Sequence, residues 1–356
     1  MKLMLAGGGT GGHLFPALSI AEEFLGRESE NEVVFVGTRR GIEAKVLGEM
    51  GYTLEFISSE AMIGKGFLNT LGACITASRG VLQSIGVIRR HKPSVVLGVG
   101  GYVSGPVVVA AYLCRVPTAV CEQNSIPGIT NRVLSKIVRI VFAAFEESAK
   151  FFPLGKTMVT GNPVRKSVLQ TAGLRDSAGG YGVLVMGGSQ GATRLNSAAP
   201  EAIGMLREAR IRVVHVSGEQ DTEIVKQAYG RLGINADVYP FIKDIGAIYS
   251  ETDIVISRSG AGTISEITAL GIPSVLVPYP YAAHNHQMGN ARVLERQGAS
   301  VVIEDGELTP EKLSDVLKNL LNNDKLAQMS AAAKSLGRPE AATAVVNAIH
   351  ELIGAN

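Results

Sequence analysis

Short apolar runs alternate along the whole chain with longer segments of mixed polarity. The runs are rich in β-branched residues, which is typical of strands buried on both faces of a parallel sheet. The segments between them have the length and apolar spacing of helices. This alternation predicts an α/β protein whose parallel sheets are covered by helices. The predicted strands are Leu3–Ala6, Glu32–Val36, Thr53–Ile57, Val95–Leu97, Thr118–Val120, Ile140–Phe142, Thr157–Val159, Val183–Met186, Arg212–Val216, Asp237–Tyr239, Ile254–Ile256, Ser274–Val277 and Ser300–Ile303.

A glycine-rich turn follows an apolar strand directly at two places, about half a chain apart. The first turn is Gly7-Gly-Gly-Thr-Gly-Gly12, and the second is Gly187-Gly-Ser-Gln-Gly191. Each turn opens a predicted helix, whose N-terminal N–H groups are suited to binding an anion. The repetition predicts two similar α/β domains that face each other across a cleft and bind ligands carrying phosphates.

Size and composition are consistent with this organisation. The 356 residues are 46% hydrophobic and 19% charged, enough for two buried cores. A formal net charge of +2 argues against a nucleic-acid partner. Three cysteines without metal-ligand spacing indicate a reducing compartment and no disulfide framework. No signal peptide is expected at the N-terminus.

One uncharged stretch, Pro93 to Cys114, is long enough to span a bilayer. Its glycines and Pro106 interrupt it, so we predict no transmembrane segment. The prediction is instead a strand at Ser94–Leu97, a glycine-rich turn at Gly98–Gly105 and then a buried helix.

The Asn-Pro turn in Gly161-Asn-Pro-Val-Arg165 is the best candidate for a domain junction. We therefore expect domains at 1–162 and 163–338. A terminal helix within 339–356 is expected to pack back on the first domain.

Gly7, Gly9 and Gly12 also satisfy the dinucleotide-binding pattern between a strand and a helix. The following strand ends at Arg39-Arg40 instead of an acidic residue, which would suit a 2′-phosphate at best. His13 lies where this turn becomes a helix. The positive end of a helix keeps an imidazole neutral and able to accept a proton, although a capping or surface histidine is the ordinary interpretation.

The segment Arg258-Ser-Gly-Ala-Gly-Thr-Ile-Ser-Glu266 follows a strand and opens another helix. Its helix N-terminus could hold phosphate oxygens, and the Glu266 carboxylate could accept hydrogen bonds from both hydroxyls of a ribose. Alternatively, Thr263 and Glu266 have the spacing of a capping box.

Two further segments place amide side chains after strands: Glu122-Gln-Asn124 and His284-Asn-His-Gln287. Amides offer both a donor and an acceptor to sugar hydroxyls and acetamides, although turn chemistry is an equally simple explanation. No metal-ligand cluster or nucleophile elbow is present in the sequence. The charge of a leaving diphosphate would then be stabilised by helix dipoles, backbone N–H groups and a cation such as Arg165.

Apolar residues alternate with basic residues between positions 62 and 92. An amphipathic helix packed on the sheet would explain most of them. The small residues around Gly64-Lys-Gly-Phe-Leu leave apolar side chains projecting among Lys and Arg, which indicates an anchor for an anionic membrane surface. The residues assigned to this anchor are Lys65, Phe67, Leu68, Leu71, Ile75 and Arg79.

Taken in order, these motifs resemble the MurG family of bacterial N-acetylglucosaminyltransferases in glycosyltransferase family 28. The resemblance runs from about residue 3 to the C-terminal helix. The motifs that carry it are Gly8-Gly-Thr-Gly-Gly-His13, Gly100-Gly-Tyr-Val-Ser-Gly-Pro106, Glu122-Gln-Asn124, Gly161-Asn-Pro163, Gly187-Gly-Ser-Gln-Gly191, Arg258-Ser-Gly260 with Thr263 to Glu266, and His286-Gln287.

The resemblance implies a GT-B fold: two Rossmann-like, doubly wound domains, with the donor nucleotide held mainly by the second. It implies transfer of N-acetylglucosamine from UDP-GlcNAc to the 4-hydroxyl of the muramoyl sugar of undecaprenyl-pyrophosphoryl-MurNAc-pentapeptide (lipid I). The product is lipid II, formed with inversion and without a metal or cofactor. A peripheral position at the cytoplasmic face of the cell membrane is implied, with cell-wall synthesis or division proteins as further partners.

The resemblance also assigns residue roles. His13 matches a histidine suspected of a catalytic role, and Glu122 is the reserve candidate for the base or for orienting it. Asn124 faces the transferred sugar, Arg165 and Ser189 bind the diphosphate, Ile242 recognises uracil through its backbone, and Gln287 binds a sugar hydroxyl. The residues assigned to UDP-GlcNAc are Thr10, Gly11, Gly12, Asn124, Arg165, Ser189, Ile242, Ala261, Gly262, Thr263, Ile264, Ser265, Glu266 and Gln287.

Three other functions use the same motifs. A UDP-sugar epimerase of the same fold would share the donor residues without needing a lipid anchor. An NADP-dependent oxidoreductase would use Gly7–Gly12 and Arg39-Arg40. A nucleotide-sugar sensor would bind UDP-GlcNAc without transferring the sugar.

Overall fold

The computed structural model describes residues 1–39, 42–59, 67–173, 180–188, 191–206, 210–321 and 324–354, without the side chains of 42, 45, 67–75 and 77. Residues 1–163 and 340–356 form one compact unit, the N-terminal unit, and residues 164–339 form the C-terminal unit. Each unit contains one parallel sheet. The strands are β1 (Lys2–Gly7), β2 (Glu32–Gly37), β3 (Thr53–Phe56), β4 (Val95–Gly100), β5 (Thr118–Glu122), β6 (Ile140–Ala143), β7 (Thr157–Val159), β8 (Tyr181–Met186), β9 (Ile211–Val216), β10 (Ala236–Tyr239), β11 (Ile254–Ser257), β12 (Ser274–Leu276) and β13 (Ser300–Val302).

Helices connect the strands, as parallel pairing requires. Within the described residues, no helix combines the length and the hydrophobicity needed to cross a bilayer. The helices are α1 (Gly11–Leu25), α2 (Ile42–Glu49), α3 (Phe67–His91), α4 (Gly101–Leu113), α5 (Ile129–Leu134), α6 (Glu146–Ala149), α7 (Lys166–Leu169), α8 (Thr193–Gly204), α9 (Thr222–Arg231), α10 (Gly246–Tyr249), α11 (Ala261–Leu270), α12 (His286–Arg296), α13 (Pro310–Leu321), α14 (Lys325–Leu336) and α15 (Ala341–Gly354).

The sheet of the N-terminal unit has the strand order β3-β2-β1-β4-β5-β6-β7. Because side chains alternate between the faces of a strand, β1 contributes to both layers of core. Leu3 and Leu5 pack with residues of α1 and α15, whereas Met4 and Ala6 pack with residues of α4. Both faces of the central strand are therefore buried, which explains its continuous apolar sequence.

The sheet of the C-terminal unit has the order β10-β9-β8-β11-β12-β13. Relative to the chain, this is the order 3-2-1-4-5-6 of a doubly wound Rossmann fold, and the N-terminal sheet shows the same order with one added strand. The core between this sheet and its helices includes Val183 and Val185 of β8 and Leu195 of α8. The predicted α/β architecture, with one parallel, doubly wound sheet in each of two units, is confirmed.

The predicted turn at Gly98–Gly105 is wrong. β4 continues to Gly100 and α4 begins at Gly101, because Gly100 and Gly101 complete the turn with φ of +106° and +76°. Pro106 then lies inside α4, where it lacks the N–H that would bond to the carbonyl of Tyr102. The Ser59 hydroxyl donates to that carbonyl oxygen instead, at 2.7 Å.

Candidate active site

Each sheet brings its first and fourth strands together at the centre. In a doubly wound sheet this is the switch point, where the connections diverge and a crevice for ligands opens at the carboxyl ends of the strands. In the N-terminal unit, β1 pairs with β4. In the C-terminal unit, β8 pairs with β11. The glycine-rich segments predicted from the sequence follow these four strands.

His13 lies at the switch point of the N-terminal unit, in the first turn of α1 and half-buried. Its Nδ1 lies 3.3 Å from the hydroxyl oxygen of Thr10. The imidazole packs against the turn after β4: a Cβ on Gly100 would lie 2.7 Å from His13 Nε2 and 3.3 Å from Gln123 Oε1. Only a glycine at position 100 leaves room for the ring in this position.

A buried carboxylate holds the glycine turn that precedes His13. Glu43, which is 0% exposed, accepts hydrogen bonds from Gly9 N–H at 3.0 Å and from Thr38 N–H at 2.9 Å. No motif in the sequence predicts this contact. Its one signal is an acidic residue in the first turn of α2, which is common at helix starts and does not indicate a partner.

Glu122 is also buried, at 3% exposure, at the end of β5. Its carboxylate accepts hydrogen bonds from Asn124 N–H at 3.0 Å, from Gly128 N–H at 3.1 Å and from the Asn131 amide at 2.9 Å. Burial raises the pKa of Glu122, and these donors oppose the rise. The carboxylate is thus directed at its own loop, where it fixes the backbone that carries half-buried Asn124.

In the C-terminal unit, α11 begins at Ala261 directly after the turn that follows β11. The first N–H groups of the helix have no acceptor within it. A Cβ on Gly260, Gly262 or Gly188 would meet no atom within 4 Å, so there is open space beside these glycines. Open space at a helix N-terminus suits an anionic group.

Glu266 is 9% exposed on α11 and has two partners. Arg165 donates to its Oε1 from Nε at 3.0 Å and from Nη2 at 2.7 Å. Tyr249 donates its hydroxyl proton to Oε2 at 3.0 Å. The alternative that Thr263 and Glu266 form a capping box is wrong, because Thr263 is the third helical residue instead of the N-cap.

The other predicted donor residues of this unit lie around the same edge of the sheet. Ile264 is buried, Ser265 is half-buried with its hydroxyl on the Ala261 carbonyl, and Ile242 is half-buried in the loop after β10. Gln287, in the first turn of α12, accepts the Tyr279 N–H at 3.0 Å through Oε1. Its NH2 group is the end that could donate to a hydroxyl.

Some predicted residues fall outside the described parts of the chain. These are Ser189, Lys65 and the side chains of Phe67, Leu68, Leu71 and Ile75. Arg79 is described: it lies on α3 and is exposed. Among the described residues, no three His, Cys, Asp or Glu side chains are grouped as a metal site would require.

Comparison with known proteins places both units in one family. Residues 3–143 match the glycosyltransferase family 28 N-terminal domain, and residues 182–345 match the family's C-terminal domain. A protein of Syntrophus aciditrophicus (strain SB), named UDP-N-acetylglucosamine--N-acetylmuramyl-(pentapeptide) pyrophosphoryl-undecaprenol N-acetylglucosamine transferase, is 44% identical over 99% of both chains. A protein of the same name from Myxococcus xanthus (strain DK1622) is 44% identical over 99% of this chain and 93% of its own. The crystal structure of MurG from Acinetobacter baumannii superimposes with a TM-score of 0.82 at 30% identity, covering 98% of this chain and 99% of that one.

Proposed function

Since this chain belongs to the MurG family of glycosyltransferase family 28, we propose that it transfers N-acetylglucosamine from UDP-GlcNAc to a lipid-linked muramoyl sugar. The acceptor is lipid I, its 4-hydroxyl is the nucleophile, and the product is lipid II. The observation that carries this proposal is the identity of 44% to named transferases over nearly the full length of both chains.

The donor diphosphate is assigned to the N-terminus of α11 and to Arg165. The N–H groups of Ala261, Gly262 and Thr263 are directed away from the helix body, and the neighbouring glycines leave space for phosphate oxygens. We also assign Ser189 to the diphosphate, Ile242 to uracil and Glu266 to the ribose. This donor set stabilises negative charge through dipoles and one guanidinium, so the proposed reaction needs no metal ion.

The N-terminal unit is proposed to supply the base and contacts to the transferred sugar. We assign to His13 the neutral tautomer in which Nδ1–H donates to the Thr10 hydroxyl oxygen, 3.3 Å away, so that Nε2 is the nitrogen that can accept a proton. That nitrogen is proposed to take the proton of the acceptor hydroxyl as the oxygen attacks the anomeric carbon, which inverts its configuration. Glu122 is assigned the orienting role, because its N–H partners hold the loop that presents Asn124. Thr10, Gly11 and Gly12 are assigned to the donor.

A lipid-linked acceptor requires access to a membrane surface, and we propose a peripheral position at the cytoplasmic face. The anchor assigned from the sequence includes Arg79. In support, Leu82 is 70% exposed one turn further along α3, and Arg89 and Arg90 follow at its basic C-terminus. Flotation with anionic vesicles, but not with zwitterionic ones, is the expected behaviour.

Radiolabelled UDP-GlcNAc and a short-chain lipid I analogue test the proposed reaction directly. Label should appear in the lipid product, with one UDP released for each sugar transferred. An epimerase would instead isomerise the sugar or release UDP without acceptor, and a sensor would bind the donor without turnover. Either outcome would contradict the proposal.

A further inference from the structure

Three separate elements of the C-terminal unit meet at the Glu266 carboxylate. Arg165 comes from the residue before α7, Tyr249 is the last residue of α10, and Glu266 lies in α11. Arg165 binds Oε1 twice, and the Tyr249 hydroxyl binds Oε2. The carboxylate is therefore held at both oxygens by side chains that are distant in sequence.

Arg165 and Tyr249 contribute differently to the contact with Glu266. A carboxylate that is only 9% exposed needs a counter-charge, and Arg165 supplies it. Tyr249 adds no charge, and its hydroxyl is a single directed donor on a ring that is 2% exposed. Burial raises the pKa of Tyr249 well above its usual range, and the neighbouring Glu266 carboxylate adds to the rise. The hydroxyl therefore keeps its proton at any pH used to assay the protein.

An ionised carboxylate accepts about four hydrogen bonds. Arg165 and Tyr249 supply three donors, so about one acceptor position remains, and its direction depends on how the carboxylate is rotated. The Tyr249 hydroxyl fixes that rotation from the Oε2 side. Without it, the carboxylate could turn about its terminal bond while keeping its contact with Arg165.

We propose that Tyr249 is a positioning residue for nucleoside recognition: its hydroxyl sets the Glu266 carboxylate so that the remaining acceptor position meets the 2′-hydroxyl of a ribose. The inference rests on the proposed function, in which Glu266 binds the ribose of a uridine diphosphate. This role connects the uracil and ribose parts of the site, because Ile242 and Tyr249 both lie in the segment from the end of β10 to the end of α10.

The test is the affinity of Tyr249→Phe for UDP and for 2′-deoxy-UDP, measured by titration calorimetry on the full chain. Wild type should prefer UDP. The variant should lose about tenfold of that preference, since a hydrogen bond to a charged group is typically worth that much or more. The loss should come from weaker UDP binding. In turnover, KM for UDP-GlcNAc should rise while kcat stays near its original value.

Tyr181→Phe is the matched control. The Tyr181 hydroxyl also donates a hydrogen bond within the C-terminal unit, to the Leu321 carbonyl oxygen. Tyr181 is the first residue of β8, whereas the proposed nucleotide site lies at the carboxyl ends of the strands. This variant should keep the full preference for UDP. Glu266→Asp, which withdraws the carboxylate from Tyr249, Arg165 and the ribose together, tests the ribose contact itself and should lose the preference for UDP.

Equal weakening of UDP and 2′-deoxy-UDP by Tyr249→Phe would show a merely structural role and overturn the inference. Unchanged affinities, or a wild type that does not distinguish the two nucleotides, would also overturn it. These outcomes differ from failure of the proposed function, which would appear as a wild type that binds no UDP at all.

Discussion

At the scale of single residues, neighbouring side chains decide which polar groups are available for chemistry. Glu122 and Glu43 are acidic and buried, yet both point their carboxylates at backbone N–H groups of nearby loops. His13 differs, because it is half-buried at the turn where two central strands end. It is therefore the better candidate for a group that exchanges a proton with substrate.

His13→Ala should lower kcat by between about 10²- and 10⁴-fold, the usual contribution of a general base. The affinity for UDP-GlcNAc should change little, because the uracil, ribose and diphosphate are assigned to the C-terminal unit and His13 itself is assigned to the acceptor hydroxyl. Steady-state kinetics and donor titration of the same preparation measure both quantities. Equal losses in turnover and donor binding would remove His13 from the role of base.

The buried His215 should make the free energy of unfolding depend on pH. The ring is 0% exposed and contacts Tyr229 and Asn196, and burial lowers its pKa to about 4 from an ordinary value of 6.5. Between these values the unfolded chain binds a proton that the folded chain does not, so the free energy of unfolding should fall as the pH drops from 6.5 towards 4. The decrease should approach about 3 kcal/mol.

Denaturant unfolding at a series of pH values checks this dependence, with His215→Gln as the comparison. The glutamine side chain cannot take up the proton, so the variant's stability should vary less over the same range. A variant with the same pH profile as wild type would contradict the assignment to His215.

At the scale of elements, the shape of one turn controls the position of His13. Gly100→Ala would place a methyl group 2.4 Å from His13 Cδ2 at a residue with φ of +106°. The imidazole would have to move, and a displacement of about 1 Å costs up to about 100-fold in rate. We expect kcat to fall substantially while UDP binding is kept.

Gly105→Ala is the control for this variant. Gly105 lies in α4, the helix that follows Gly100, and its added Cβ would meet its nearest neighbour, Thr130 Cγ2, at an ordinary 3.6 Å. Its turnover should match wild type. If both glycine variants lost activity to the same extent, the turn would not act through His13.

The sequence predicted elements better than it predicted contacts. Hydrophobic runs located each strand that the structure describes. The central strands gave the clearest signal, because a strand buried on both faces of a parallel sheet is apolar along its whole length. The start of α4 was misplaced because glycines usually end regular structure, and here two of them formed the turn in two residues. The Ser59 contact that accommodates Pro106 has no local sequence signal.

At the scale of the whole molecule, the repeated glycine turns correctly predicted two sheets of the same kind. Most candidate site residues follow strands whose order is now observed. Contacts such as Arg165 with Glu266 join residues 101 positions apart, and no periodicity or spacing indicates such a pair. Tyr249 was missed for the same reason: a tyrosine at the end of a short helix is ordinary until its partner is located.

The proposed reaction is a property of the whole molecule, because one chain must bind both the donor and the acceptor and stabilise the charge of the departing UDP. Its central claim is that amide dipoles and Arg165 stabilise the departing UDP without a metal ion. The direct test is the initial rate of labelled sugar transfer to the lipid I analogue in excess EDTA, compared with the rate in magnesium. Equal rates are expected. Loss of transfer in EDTA, with recovery on adding magnesium or manganese, would contradict it.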